Sequence, residues 1–329
     1  MKKIINSLSV LCLAGALLSC KDNNQFKQTS EIPATHHEVG LTEYIRANFE
    51  STNGSKLVCA ESVSCNNKNL AQIYESLNYV PVWLSDKGEL KPEVESTILI
   101  LQNSYLDGLD PSRYHVHEIN NLLKQIQLAQ NTNHKNIEST LYVNFDITVS
   151  DAYLSYAKDM QNGRINPITT YPDWRVDREM VDVTSQFESS IANGDLLNNM
   201  QHMAPNNKMY QSLQTKLLEY YQMSNESSQN VLTDKDKDTM KQIALNMDRL
   251  RWLPHNLPES YILVNIPRFE LDIFVENGES VVLSMPVIVG RDGENKTCLV
   301  SSNITSVEFN PYWGIPKRIA TKEYLVKLK

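Results

Sequence analysis

Positive charge is the minority in this chain. Against 39 Asp and Glu stand 31 Lys and Arg, giving a formal net charge of -8 and an isoelectric point near 5.5. There is no basic patch, which argues against nucleic acid as a partner, because phosphate binding needs clustered Lys and Arg. Cysteine is sparse, with 5 in 329 residues. Cys59 and Cys65 have no histidine near them, so zinc is not expected there. Histidine ends at His255 and cysteine at Cys298. The last part of the chain therefore holds one thiol and no imidazole. The apolar run Ile4–Leu18 is too short, and wrongly flanked, to span a bilayer comfortably.

What is present is ordinary globular material. Hydrophobic residues make up 41% and charged residues 21%, so a sizeable core is possible. The length allows two or three domains. Lys2 and Lys3, then the apolar run, then Leu17-Leu18-Ser19-Cys20 read as a secretory signal over 1–19. Cysteine directly after Leu-Leu-Ser resembles a bacterial lipoprotein box. By that resemblance Cys20 is lipidated and becomes the mature N-terminus; the alternative is a plain signal peptide with Cys20 incidental. Residues 20–57 are polar and read as a tether, within which Thr42–Phe49 could form a short helix. His36-His37 reads as solvated tail rather than a metal site. An exported Cys59 and Cys65 could form a disulfide, though spacing alone does not fix the geometry.

Residues 58–253 carry helical patterning. Leu70, Ile73, Tyr74 and Leu77 fall at i, i+3, i+4 and i+7 behind Asn66-Asn67 as a cap. Pro92 opens a second helix, with Ile98, Leu101 and Tyr105 inward and Gly108 past its end. Ile119, Leu122, Leu123 and Ile126 form a third stripe. Ile137 to Met160 traces one long helical face, uninterrupted until Gly163. Tyr210, Leu213, Leu217 and Tyr220 continue the pattern, and Met240 to Leu250 is a further amphipathic helix. Two constellations invite over-reading. His115-x-His117 stands between a Pro-containing turn and a helix, a poor setting for a metal. Asp146 and Asp151 are five apart on one helix and do not pair as acid and base. Asp234 to Asp238 reads as a solvated, capped first turn.

Residues 254–329 read as β. In Phe269–Val275 apolar residues alternate with Glu270 and Asp272, the pattern of a strand with one buried face. Glu276-Asn277-Gly278-Glu279 reads as a hairpin turn, Val281–Gly290 as the returning strand, and Ile304–Phe309 as another. The fold class is thus α+β: a mostly helical domain followed by the start of an all-β one.

The series Arg249-Leu250-Arg251-Trp252-Leu253-Pro254, Val264-Asn265-Ile266-Pro267, Val287-Ile288-Val289-Gly290 and Phe309-Asn310-Pro311-Tyr312-Trp313-Gly314-Ile315-Pro316 resembles the opening of the catalytic domain in scaffold-bearing L,D-transpeptidases of the bacterial cell wall. Tyr79-Val80-Pro81-Val82-Trp83, Asp107-Gly108-Leu109-Asp110-Pro111, the Ser150–Ala157 run and Gly163-Arg164 look like that family's helical scaffold. The resemblance implies cysteine acyl transfer between peptidoglycan stem peptides in the cell envelope; no cofactor or metal is expected, and the lipid anchor rests on the box at Cys20. It also implies a Ser-His-Gly-Cys-type motif and an upstream histidine as catalytic groups. Neither occurs in residues 1–329, so no catalytic residue is carried over and the β domain is expected to be incomplete and inactive as it stands. Cys298, in Lys296-Thr297-Cys298-Leu299, lacks a neighbouring base and reads as a small thiol rather than a nucleophile. Gly194 is the only glycine between 164 and 277, which counts against the glycine-bearing peptidoglycan-binding module common in relatives. The alternative function is a non-catalytic envelope lipoprotein that binds peptidoglycan or envelope partners through its helices.

Overall fold

The computed structural model describes residues 40–329 except 52–57, 61–62, 66–67, 130–134, 172–173, 177–179, 226–231, 292, 294–295, 313 and 328–329. The expected signal, Cys20, His36 and His37 lie outside the described residues. The first element is α1 (Leu41–Ser51), whose Leu41, Ile45 and Phe49 recur every four residues and are buried. Asp86 accepts from the Thr42 backbone N–H and hydroxyl at 2.8 and 2.7 Å, fixing the helix start. This part of the expected tether therefore belongs to the core. Its stripe is only three apolar residues, too short to outweigh the polar sequence around it.

A small antiparallel hairpin follows, β1 (Val58–Ala60) with β2 (Val63–Ser64). Then come α2 (Leu70–Ser76) and α3 (Glu93–Gln102). The α2 N-cap is Asn69, whose side chain makes no capping bond, so the helix is held by burial of Leu70, Ile73 and Tyr74 rather than by the cap expected at Asn66-Asn67. Those two residues lie outside the description. After α3 the chain tightens into a 3-10 turn through Asp107 and stops at Gly108, φ 69°. Asp110 then caps the next turn, accepting from Ser112 N–H at 3.0 Å with Pro111 at the first position.

Helix α4 (Val116–Ala129) buries Ile119, Leu122 and Ile126 as its stripe predicts. It leads to α5 (Lys135–Asn162), the spine of the body. The expected single face on α5 is too narrow a description. From Phe145 to Ala157 every residue but the half-buried Ser155 is buried, under α1, α2, α3, α4 and the later α7. A helix enclosed all round has no polar face. Asp146, Thr148, Ser150 and Asp151 are consequently buried too.

The chain continues through α6 (Pro167–Thr170), β3 (Trp174–Arg175), α7 (Val183–Asn193), α8 (Leu196–Gln201), α9 (Lys208–Asn225) and α10 (Asp234–Leu250). Helices α9 and α10 pair around a second small core of Tyr210, Leu217, Ile243 and Met247. Thr233 and Asp236 form a reciprocal capping box at the start of α10, so the charged run there is a solvated first turn.

The sheet comprises β4 (Tyr261–Asn265), β5 (Glu270–Val275) and β6 (Ser280–Pro286), all antiparallel. Glu276, Asn277 and Gly278 take positive φ at the β5–β6 turn, as Asn-Gly favours. Cross-strand register stacks Ile262, Ile273 and Leu283 on one face, beside Val264, Leu271 and Met285. The expected burial of that face is not realised: Ile262, Val264, Leu283 and Met285 are exposed, and Leu271 and Ile273 half-buried. Ile304–Phe309, read as a strand, is not one; Ile304, Val307 and Phe309 are exposed and pair with no strand among the described residues. The last strand is β7 (Leu299–Val300), which runs parallel to β3 of the helical body.

Candidate functional site

Each sequence block that marks the helical body is a joint in the structure. In Tyr79-Val80-Pro81-Val82-Trp83 the chain dips irregularly into the core at Pro81-Val82-Trp83, which places the Val82 and Trp83 N–H groups away from water. Asp146 on α5 meets them, accepting from Val82 at 2.9 Å and Trp83 at 2.8 Å. Tyr74 Oη donates to the same carboxylate at 2.6 Å, and Trp83 Nε1 donates to Ser150 Oγ at 2.9 Å. Burial pushes the Asp146 carboxyl up, against those three donors, and also raises the Tyr74 hydroxyl. The role of Asp146 is to satisfy buried donors, each of which is expensive to leave unmade.

Asp107-Gly108 is the second joint. A Cβ at Gly108 would lie 2.7 Å from Ala244 Cα, so glycine here admits α10 against the α3 end. Asp107 accepts from Tyr210 Oη and Gln214 Nε2, both at 3.0 Å. Arg251, 1% exposed, donates to the Asp107 backbone carbonyl, and to Tyr210 Oη at 2.6 Å. Burial raises the Asp107 carboxyl, and the Arg251 charge only partly offsets this. Arg251 Nη1 lies 3.6 Å from Asp248 Oδ1, which itself accepts from Arg164 N–H at 2.8 Å.

Trp252 is the third joint and the exit from the helical body. It is 2% exposed, packed against Tyr171 and edge-on to Trp174, each with ring centroids 5.7 Å apart. Arg249 reaches Tyr171 Oη at 3.0 Å. Four consecutive residues of the Arg-Leu-Arg-Trp block thus split their work. Arg249 and Leu250 end α10, while Arg251 and Trp252 lock the chain before it turns into β4.

Among the described residues, two contacts fasten the β segment to the helices. Lys208 at the head of α9 pairs with Glu279 in the β5–β6 turn at 2.7 Å, and β3 pairs with β7. At the far end of β5 and β6 lies an open cleft of about 450 Å³ lined by Arg268, Phe269, Glu270, Ser284, Met285 and Pro286. Arg268 and Glu270 pair across it at 2.7 Å, and Ser284 donates to Glu270 at 2.9 Å. The cleft holds no thiol and no imidazole.

Cys298 stands just before β7, a free and half-buried thiol. Cys65 is disulfide-bonded; Cys59 lies on β1, whose side chains are outside the description. His115 and His117 do not converge. His115 Nε2 is 2.9 Å from Asp151 in the interior, whereas His117 meets Asn121 at 3.3 Å on the surface. Asp146 and Asp151 likewise serve separate partners. Among the described residues no cluster of three His, Cys, Asp or Glu side chains suits a metal. The sequence places Asp107 in a family block and Tyr210 on a helical stripe without pointing to their contact, and it gives Trp174 no role. The signal for the first was available in the Asp-Gly pair, but its partners lie far away in the chain.

Comparison with known proteins matches two successive stretches of the chain. Residues 68–217 match the family described as Scaffold domain, and residues 259–329 match the L,D-transpeptidase catalytic domain. A Haemophilus influenzae protein, provisionally named an L,D-transpeptidase, is 26% identical over 190 residues, which is 56% of this chain and 35% of that protein. The chain thus matches about a third of that relative's length.

Proposed function

Because the chain belongs to the scaffold-bearing L,D-transpeptidase family, we propose that it serves peptidoglycan cross-linking, as the helical scaffold and leading part of a cysteine acyl-transfer domain. The observation that carries this reading is the order of the two matches along one chain. The scaffold match ends within α9, and the catalytic match opens at residue 259, beyond the buried Arg251-Trp252 joint. We further propose that segment 1–19 exports the protein and that lipid on Cys20 holds it to a membrane leaflet in the envelope. The Lys2-Lys3 start, the short apolar run and Leu-Leu-Ser-Cys support this. The disulfide-bonded state of Cys65 suits an oxidising compartment, and we assign Cys59 as its partner.

Residues 1–329 on their own are proposed to be catalytically silent. Acyl transfer by a thiol needs a thiolate, a base and oxyanion donors in one place. Cys298 is the sole cysteine of the β segment and no histidine follows His255. Purified 21–329 incubated with tetrapeptide stems should yield no cross-linked dimer. Dimer formation that thiol alkylation abolishes would overturn the proposal.

A second reading is a non-catalytic envelope lipoprotein that binds peptidoglycan or envelope partners through its helices. It is favoured by the self-sufficiency of the core around α5, which draws no residue from the sheet. Co-sedimentation with purified peptidoglycan separates the two. Retention that survives removal of stem peptides from the glycan supports the second reading, and loss of retention supports the first.

A further inference from the structure

The contact between β3 and β7 is unlike the other strand pairings. It joins the helical body to the catalytic-domain segment through two residue pairs, Trp174 with Leu299 and Arg175 with Val300. It is parallel, whereas the three-stranded sheet is antiparallel throughout. Neither β7 side chain is buried: Leu299 is 38% and Val300 64% exposed. The pairing therefore draws only partial apolar burial from its β7 side, through Leu299, and two residue pairs are too few to hold by themselves.

What holds the β3 side is specific. Trp174 meets Trp252 edge-on, with rings at 84°, and its indole N–H donates to the Val176 carbonyl at 3.0 Å. Trp252 is clamped in turn, because Gly163 leaves no room behind it. An edge anchored through Trp174 on the helical body thus faces a weakly held strand on the β segment. That asymmetry describes a latch whose keeper is fixed and whose bolt is free to leave.

We propose that Trp174–Arg175 is a releasable latch for β7, with Trp174 the positioning residue that sets where the segment around Cys298 sits on the helical body. The latch itself does not depend on the transpeptidase reading. Its consequence, that the scaffold orients the catalytic domain through this edge, does. The balance of the latch is local opening without loss of the helical core.

Cys298 reports on it. In the full chain with Cys12→Ser and Cys20→Ser, and the disulfide intact, Cys298 is the free thiol. Its reaction with an aromatic disulfide reagent should be slow, and about tenfold faster in Trp174→Ala, where the edge loses its anchor. Trp174→Phe, which keeps a ring against Trp252, should restore most of the slow rate. Equal rates in all three chains, with an unchanged unfolding midpoint of the helical body, would overturn the latch. Should Trp174→Ala unfold that body, hydrogen exchange in the unsubstituted chain decides. The Leu299 and Val300 amides should exchange more slowly than those of Val307–Phe309 but well before α5. Exchange as fast as Val307–Phe309, or as slow as α5, refutes it. Loss of the latch leaves the cross-linking proposal untouched, since that is read in stem-peptide assays.

Discussion

Trp252 occupies the space that a side chain at Gly163 would need: a Cβ there would lie 2.7 Å from Trp252 Cδ1. Gly163 also sits at φ 68°, where L side chains are strained. The end of the long spine helix and the exit from the helical body are therefore one joint, closed by the absence of a methyl group.

Gly163→Ala is expected to destabilise the body by about 2–5 kcal/mol, combining backbone strain with overpacking. Gly194→Ala supplies the control. Gly194 has a similar φ of 70° but no atom within 4 Å of its would-be Cβ. It should show the backbone cost alone, about 1 kcal/mol. Urea unfolding of both variants checks this, and equal losses would show that Trp252 yields freely.

Asp146→Ala should cost about 3 kcal/mol or more, because it strands the N–H groups of Val82 and Trp83 away from water. Asp146→Asn retains one acceptor oxygen and should fall between the two. The near-ultraviolet signal of Trp83 should weaken in Asp146→Ala well before helix content does. A variant as stable as the parent would mean that the Val82–Trp83 turn finds other acceptors.

Asp107 gives a pH dependence of stated sign. Burial raises its carboxyl in the folded state, and Arg251, Tyr210 and Gln214 only partly oppose that. The folded chain therefore binds this proton more tightly than the unfolded chain. The group's stabilising contribution is complete below the ordinary carboxylate range and is lost as pH rises through the raised folded value. Asp107→Asn cannot titrate. The stability of the parent minus that of Asp107→Asn should fall as pH rises across that window, as read from unfolding midpoints in buffered urea. A difference that grows with pH would place the Arg251 attraction above the cost of burial.

Local chemistry was readable in the sequence wherever a few neighbouring residues decide the outcome. Pro92 and Gly108 bracket α3 and its 3-10 extension, and Asn277-Gly278 forms the hairpin turn. The long α5 was legible because no breaker interrupts it. Its burial on every side was not, since polar Asp146, Ser150 and Asp151 gain their partners from Tyr74, Trp83 and His115, remote in the chain. Ile304–Phe309 misled for the converse reason. Branched residues favour a strand only when a neighbouring strand accepts their hydrogen bonds. For the candidate site, the motif blocks were visible as a resemblance, but their physical work was not. Nothing in Arg251 or Trp252 by themselves names Asp107, Tyr210 or Gly163.

The pairing of β3 with β7 carries a consequence for the order of assembly. A chain that leaves the ribosome or an export channel N-terminus first presents the keeper long before the bolt. Contacts between remote segments form late because closing a long loop is entropically costly. The helical body should thus be complete while β4, β5 and β6 are still emerging, with the aliphatic face of Ile262, Val264, Leu283 and Met285 bare. That face stays exposed after β7 has paired with β3, so the latch decides where the finished body holds a sticky sheet and does not itself shield it.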